Sequence, residues 1–437
     1  MNEYVDSIRK KLDMVVNQLN EQSRLFVNNP EKDFIRKRKL DFKEMVNILL
    51  TMGGNSLKFE LVKYFSYDIN AATSSAFVQQ REKILPKAFE YLFKEFTSLA
   101  INPSYYSGYR MLAVDGSRLC YTQNKNDVET YVRVSEKAKG YNLLHLNAMY
   151  DLCSRTYVDA VVQPIKKFNE FQALMDMVDR SDIKGPAIVI ADRGYESFNV
   201  FEHIKQKGWK YVIRINDICG SKIAARLSPP DQEIFDIECN TILTRRQGKE
   251  IKSHPKKYSF LSASQKFDYL PVGDSGEYPM NFRLVRFALS ENNYEVIITN
   301  LSKDDFPMER IKEIYHMRWG IETSFRELKY AIGLTSFHSK KVAHILQEIF
   351  ARLTMYNFCE IITTHVIIQQ KHRKYSCQIN FTIAISICLY YFKSRNMEKP
   401  PNVEALIQKN ISPIRNGRKD PRKVKTQSSV SFIYRVA

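Results

Sequence analysis

The sequence predicts a mixed α/β protein with helical flanks, and three observations predict it. Helical spacing runs from about residue 40 to 95; after Pro103, short apolar runs bounded by turn residues alternate with helical stretches; and helical spacing resumes at Pro307. The 437 residues, 44% of them hydrophobic, suffice for a large buried core and more than one domain.

The first helix opens with the capping box Asp41-x-x-Glu44, carries Phe42, Met45, Val46 and Leu49 at 3/4 spacing, and ends at Gly53 and Gly54. A second short segment (Leu57, Leu61, Phe65) and a third beginning near Thr73 follow, an arrangement compatible with a helix-turn-helix. The third helix is expected to display Gln79, Gln80, Arg81 and Lys83, side chains suited to base and phosphate contacts, although three packed helices with a solvated polar face give the same pattern. Strands are expected in "MLAVDGS" (111–117), "LLHLNAMYD" (143–151), "YVDAVVQP" (157–164), "AIVIADR" (187–193) and "KYVIRIN" (210–216), with helices over 168–180 and 197–207. Three strands, then helix, strand, helix, strand, is the element order of a ribonuclease H-like core. Prolines 229, 230, 255, 271 and 279 punctuate a mostly β insertion, and helices return over 307–331 and 342–366.

The expected organisation is a helical DNA-binding region (1–103), a ribonuclease H-like catalytic core in two parts (104–216 and 301–392) around a β-rich insertion (217–300), and a basic tail (393–437). From Pro401 onward the tail holds eight Lys/Arg against two Asp/Glu, so it is either phosphate-seeking or simply solvated.

A net charge of +18 and a pI near 9.4 imply a polyanionic partner, through counterion release and long-range steering. Seven scattered cysteines without a C-x-x-C pair fit reduced thiols in the cytosol. The charged N-terminus does not read as a secretory signal, and the longest uncharged apolar-rich run, 381–392, is too short to span a bilayer. The expected location is therefore cytoplasmic and the expected partner nucleic acid.

Asp115 and Asp192 each follow an apolar strand. Alone, each is an ordinary turn former. Together, at the ends of neighbouring buried strands, they repel unless a cation neutralises them, which suits Mg²⁺ and calls for a third acid. The segment "YHMRWGIETSFRELKY" (315–330) supplies one. At about 100° per residue, Arg318, Glu322, Arg326 and Lys329 share one side of a helix, while Met317, Ile321, Phe325 and Leu328 form a separate apolar arc. An i, i+4 surface ladder is the plain account of Arg318 and Glu322. Three cations around one acid instead fit a metal-ligating Glu322 with Arg318, Lys329 and Arg326 facing phosphates and Tyr315 adding a hydroxyl donor.

The spacing Tyr315-x2-Arg318-x3-Glu322-x6-Lys329, with "VDGS" around Asp115 and "ADRGY" from Ala191, resembles the signature of bacterial cut-and-paste transposases of the insertion-sequence family four type. The resemblance covers roughly residues 40–370. It implies Asp115, Asp192 and Glu322 as a catalytic triad holding two Mg²⁺ ions, with Mn²⁺ able to substitute. It also implies Tyr315, Arg318 and Lys329 as DNA contacts, joined by Arg193 in the second motif and by Arg214, which is otherwise an ordinary strand arginine. The implied activity is cleavage at terminal inverted repeats and joining of the 3′-OH ends to target DNA, by a homodimer on double-stranded DNA. A nuclease without strand transfer, or a domesticated DNA-binding regulator, shares these features. One departure stands out: Trp209 and Trp319, the two tryptophans, both lie outside the insertion. An aromatic that stacks a flipped base would have to be another residue, such as Tyr258 or Phe260.

Overall fold

The structure is a computed structural model that describes residues 2–36, 38–216, 222–227, 229–291, 293–368, 375–394 and 399–414. Its N-terminal part is helical: α1 (Glu3–Glu21), α2 (Phe42–Thr51), α3 (Leu57–Tyr64), α4 (Ser74–Arg81) and α5 (Lys87–Ala100). Asp41 caps α2 as the capping box predicts, and Ser56 and Thr73 cap α3 and α4, each accepting from the backbone N–H three residues on. Helix α1 was not anticipated, yet Val5, Ile8, Leu12, Val15, Val16 and Leu19 form its buried stripe.

The central part runs β1 (Arg110–Tyr121), β2 (Tyr131–Val132), β3 (Tyr141–Asp151), β4 (Thr156–Pro164), α6 (Glu170–Asp179), β5 (Ala187–Ala191), α7 (Phe198–Gln206) and β6 (Lys210–Ile215). In space the order is β4-β3-β1-β5-β6. The first three strands pair antiparallel (Val114↔Met149, Ala148↔Ala160), and β1, β5 and β6 run parallel (Val114↔Ala191, Ala191↔Ile213). The parallel strands are buried on both faces, which is why "AIVIA" is an unbroken apolar run.

Next come α8 (Lys222–Arg226), β7 (Phe235–Thr244), α9 (Lys249–Ser253), β8 (Tyr258–Phe260), β9 (Glu277–Ser290) and β10 (Asn293–Thr299). Strand β10 pairs antiparallel with β6, so β9, β7 and β8 extend the same mixed, 10-stranded sheet. The chain continues through α10 (Met308–Met317), α11 (Trp319–Tyr330), α12 (Val342–His365), β11 (Cys377–Ile379), α13 (Phe381–Lys393), α14 (Val403–Lys409) and β12 (Ile411–Pro413), with β11 and β12 paired apart from the main sheet.

Leu112, Val114, Val189 and Ala191 face the α6–α7 side, while Met111, Ala113, Ile188 and Ile190 face the side of α10–α12. Helices α1, α2 and α5 pack on α12 and share its buried cluster with β1, β3 and β4. Among the described residues no helix is long and apolar enough to cross a membrane, and Cys120, Cys153, Cys239, Cys359, Cys377 and Cys388 are free thiols. Cys219 and the basic tail from residue 415 lie outside the described residues.

Candidate active site

The parallel pairing of β1 and β5 sets two carboxylates side by side. Asp115 and Asp192 each follow the register pair Val114↔Ala191 by one residue. Each carboxylate accepts the next residue's N–H: Asp115 Oδ1 from Gly116 at 2.8 Å and Asp192 Oδ1 from Arg193 at 2.7 Å. Asp115 lies on the same face of β1 as Ala113, and Ala113 packs in the cluster that contains Ile321, Phe325 and Leu328 of α11. The third acid therefore arrives from the helix that covers Asp115.

That helix is not continuous. The sequence predicts one helix through the signature, but α10 and α11 meet at Arg318, where Arg318 N–H donates to Tyr315 O and Ile321 N–H to Arg318 O, each at 3.1 Å and each tightened by one residue. Arg318 is buried at this joint, 5.7 Å from the Tyr315 ring centroid and 5.2 Å from that of Trp319. Its Nη2 donates to Glu322 Oε1 at 3.0 Å. Below, Ser324 meets the buried Tyr157 hydroxyl at 2.8 Å, fixing α11 to β4.

Burial pushes the Asp115 carboxyl up to about 6; the Gly116 N–H and Arg318 oppose the shift, and the charges of Glu322 and Asp192 add to it. The three acids thus share one electrostatic field. Burial lowers Lys329 against the pull of Asp115, and burial raises the Tyr315 hydroxyl to about 12. Two polar atoms here are buried without a hydrogen-bond partner, the Tyr315 hydroxyl and Arg318 Nε. Such orphans are rare in folded proteins and fit a polar ligand at this spot.

Three carboxylates are a hard oxygen donor set apt for Mg²⁺ or Mn²⁺. They do not already form a closed cage: among the described residues no group of three His, Cys, Asp or Glu side chains is placed to hold an ion. The Arg318 guanidinium supplies the positive charge beside Glu322 instead.

The remaining predicted residues divide. Arg214 on β6 is half-buried and 3.3 Å from Glu295 of β10, at the edge of the acid field. Arg193 is exposed and lines a cavity of about 510 Å³ with Asn169, Ser197, Arg226 and Lys266. Arg326 is exposed on a different cavity of about 960 Å³, with Arg155, Thr323, Glu327 and Thr363. Gln79 is exposed, but Gln80 and Arg81 are buried, which corrects the expectation that they face DNA. Arg81 is 1% exposed; its Nη1 lies 2.9 Å from Glu348 and its Nε donates to Gln347 at 2.8 Å, so the guanidinium is spent on α12.

Lys32, Arg36 and Arg38 are further candidates that the structure brings forward. With Lys83 they surround a cavity of about 440 Å³ beside Phe34, and the cationic run around residues 36–39 was the signal available for them. Trp319 is 48% exposed beside Arg318. Tyr258 and Phe260 sit on β8, the outermost strand of the sheet, with Tyr258 buried.

Lys329 and Arg326 can be told apart. Lys329→Ala is expected to lower the slope of log affinity for DNA against log salt by about 1 and to weaken binding. Arg326→Ala is expected to leave that slope unchanged, and equal slopes for the two variants would contradict this assignment.

The sheet brings Asp115 and Asp192 to neighbouring strand ends, under a helix whose Glu322 is bonded to Arg318. The chain belongs to the transposase DDE domain family, which matches it over residues 106–358. That family comprises nucleases and strand transferases that generally use divalent metal ions. Among solved structures, the chain is similar to a piggyBac transposase in a synaptic complex with hairpin DNA, at 11% identity and a TM-score of 0.46, over 91% of this chain and 81% of that one. No curated protein sequence matches it.

Proposed function

We propose that this transposase is of the insertion-sequence family four type and moves DNA by a cut-and-paste route, cleaving at terminal inverted repeats and joining the 3′-OH ends to target DNA. The observation that carries the reading is the shared field of Asp115, Asp192 and Glu322, flanked by Arg318 and Lys329. The strand order β4-β3-β1-β5-β6 supports a ribonuclease H-like core built from 104–216 and 301–392, with 217–300 as its β-rich insertion.

Asp115, Asp192 and Glu322 would hold Mg²⁺, or Mn²⁺ in its place. The ions, when bound, supply Lewis-acid activation of the attacking oxygen and stabilisation of the leaving one. Arg318 parts from Glu322 and turns its donors, with the Tyr315 hydroxyl and Lys329, toward phosphate oxygens. The helical region 1–103 recognises the element ends, the chain acts as a homodimer on DNA, and its place is the nucleoid-bearing cytoplasm. Arg36, Arg38 and Lys32 give that N-terminal region the phosphate-facing charge that the inward Arg81 does not.

The test is incubation of the full chain and Mg²⁺ with linear DNA carrying both segments that flank its gene. Cleavage at the flank boundary followed by a joined product is expected. Cleavage without joining would favour a nuclease, and specific binding without cleavage a regulator.

A further inference from the structure

We propose that Glu170 is a positioning residue for the metal-binding aspartates, its carboxylate set between Gly116, next to Asp115, and Gly194, in the turn that follows Asp192. The inference rests on the metal-dependent reading above. Glu170 opens α6, but the helix is already capped by Asn169, which accepts from Gln172 N–H at 3.1 Å. The carboxylate turns to the sheet. A methyl group at Gly116, next to Asp115, would stand 2.6 Å from Glu170 Oε1; one at Gly194, two residues past Asp192, would stand 3.6 Å from Oε2. One side chain thus spans both acid-bearing turns.

The register gives the direction. Val114 and Met149 face the α6 side, so Gly116 and its neighbour His145 do too, while Asp115 points through the opposite face toward α11. Glu170 braces β1 from behind the catalytic acid. His145 Nε2 lies 2.9 Å from Glu170 Oε1, and the same ring leaves no room at Gly116, where a methyl would stand 2.4 Å from Nε2. The imidazole is buried, packs on Phe168 with centroids 4.8 Å apart, and makes no well-aligned hydrogen bond through either nitrogen.

Tyr195 adds an independent mark. Its buried hydroxyl has no hydrogen-bond partner; burial, then the charges of Glu170, Asp115 and Asp192, hold its proton on. Glu170 and both aspartates thus adjoin one buried hydroxyl, on the side of the sheet where Leu112, Val114, Leu174 and Met175 pack. The Glu170 side chain is 30% exposed, so only one edge of the carboxylate faces the sheet, and that edge is the one set against Gly116 and the buried His145. Because Gly116 shares a peptide bond with Asp115, a small shift of one moves the other, and a misplacement of about 1 Å is enough to weaken a metal site.

The experiment titrates the full-length chain with Mn²⁺, followed by electron paramagnetic resonance, beside metal-free melting and metal-free affinity for a mixed-sequence duplex. Glu170→Ala and Glu170→Gln are each expected to weaken Mn²⁺ binding by about tenfold or more, the range for groups that support metal ligands, with melting and duplex affinity unchanged. A merely structural role would move the last two instead. Mn²⁺ affinity within about twofold of wild type in folded Glu170→Ala would overturn the inference. Should that variant not fold, Glu170→Gln decides by the same criterion. If Asp115→Asn also leaves Mn²⁺ binding unchanged, the metal reading fails, and this inference with it. Loss with Asp115→Asn but not with the Glu170 variants overturns the inference alone.

Discussion

Glu322→Gln is expected to slow metal-dependent DNA cleavage by about a thousandfold or more while DNA affinity stays within about twofold, because a metal ligand contributes several kcal/mol of charge stabilisation in the transition state. The substitution keeps the length of the side chain and an oxygen for Arg318 Nη2, now 3.0 Å from Glu322 Oε1, so α11 and its packing through Ile321, Phe325 and Leu328 are preserved. What is lost is one negative charge in a site built from three. Single-turnover cleavage against a filter-binding isotherm separates the two quantities, and full cleavage by the glutamine variant would remove Glu322 from the site.

Acidity should act on the same site through Asp115. In the metal-free protein its carboxyl is held at about 6 against an ordinary 3.8, so below about pH 6 a proton competes with the metal for it, and the Mg²⁺ concentration needed for half-maximal cleavage should rise as the pH falls. Stability follows the opposite course. A folded-state carboxyl raised above its unfolded value favours the protonated form, so the metal-free protein gains stability as the pH drops from about 6 toward 4 and loses it as the pH rises through that window. Asp115→Asn removes the charge, and at neutral pH it is expected to raise the metal-free melting temperature by about a few degrees while abolishing cleavage.

The candidate acids can be proposed from the sequence because their placement is local. A strand needs an apolar run, an acid that follows it must sit at the strand's end, and the signature gave Glu322 its neighbours by helical spacing alone. Other features depend on partners far along the chain. The side of α4 that faces inward is set by α12, 267 residues from Arg81 to Glu348, and no periodicity within "SSAFVQQR" reports it. The joint at Arg318 arises where α10 and α11 pack on different parts of the sheet, α10 against the cluster of Met111, Ile188 and Val212 and α11 against that of Ala113 and Tyr157. Glu170 reads from sequence as a first-turn acid favoured by the helix dipole, and only the strand register shows it behind Gly116. Helix α1 differs, since its buried 3/4 stripe of Val5, Ile8, Leu12, Val15 and Leu19 is already present in the sequence.

Glu348→Ala is expected to destabilise the protein by about 3–5 kcal/mol, the cost of removing one partner from a buried ion cluster. Glu348 is 1% exposed on α12 and receives Arg81 Nη1 at 2.9 Å, Arg352 Nη2 at 3.0 Å, and the N–H and Nδ1 of His338 at 3.1 and 3.0 Å. Burial by itself would raise this carboxyl, but Arg81, His338 and Arg352 outweigh it and hold the group far below the ordinary glutamate value of 4.5. Its contribution is therefore full above that value and is lost only in strong acid. Alanine would leave the Arg81 guanidinium buried with no carboxylate beside it, and α4 would lose its hold on α12. Paired apolar replacement, Arg81→Met with Glu348→Leu, is expected to recover only part of the loss: it removes the stranded Arg81 charge, but the buried Arg352 still loses its carboxylate. Thermal melting of the three variants checks this. The same experiment decides what Arg81 does: as an internal tie, Arg81→Ala lowers the melting temperature and leaves the salt slope of DNA binding intact. A slope reduced by about 1 at unchanged stability would instead put Arg81 on the DNA.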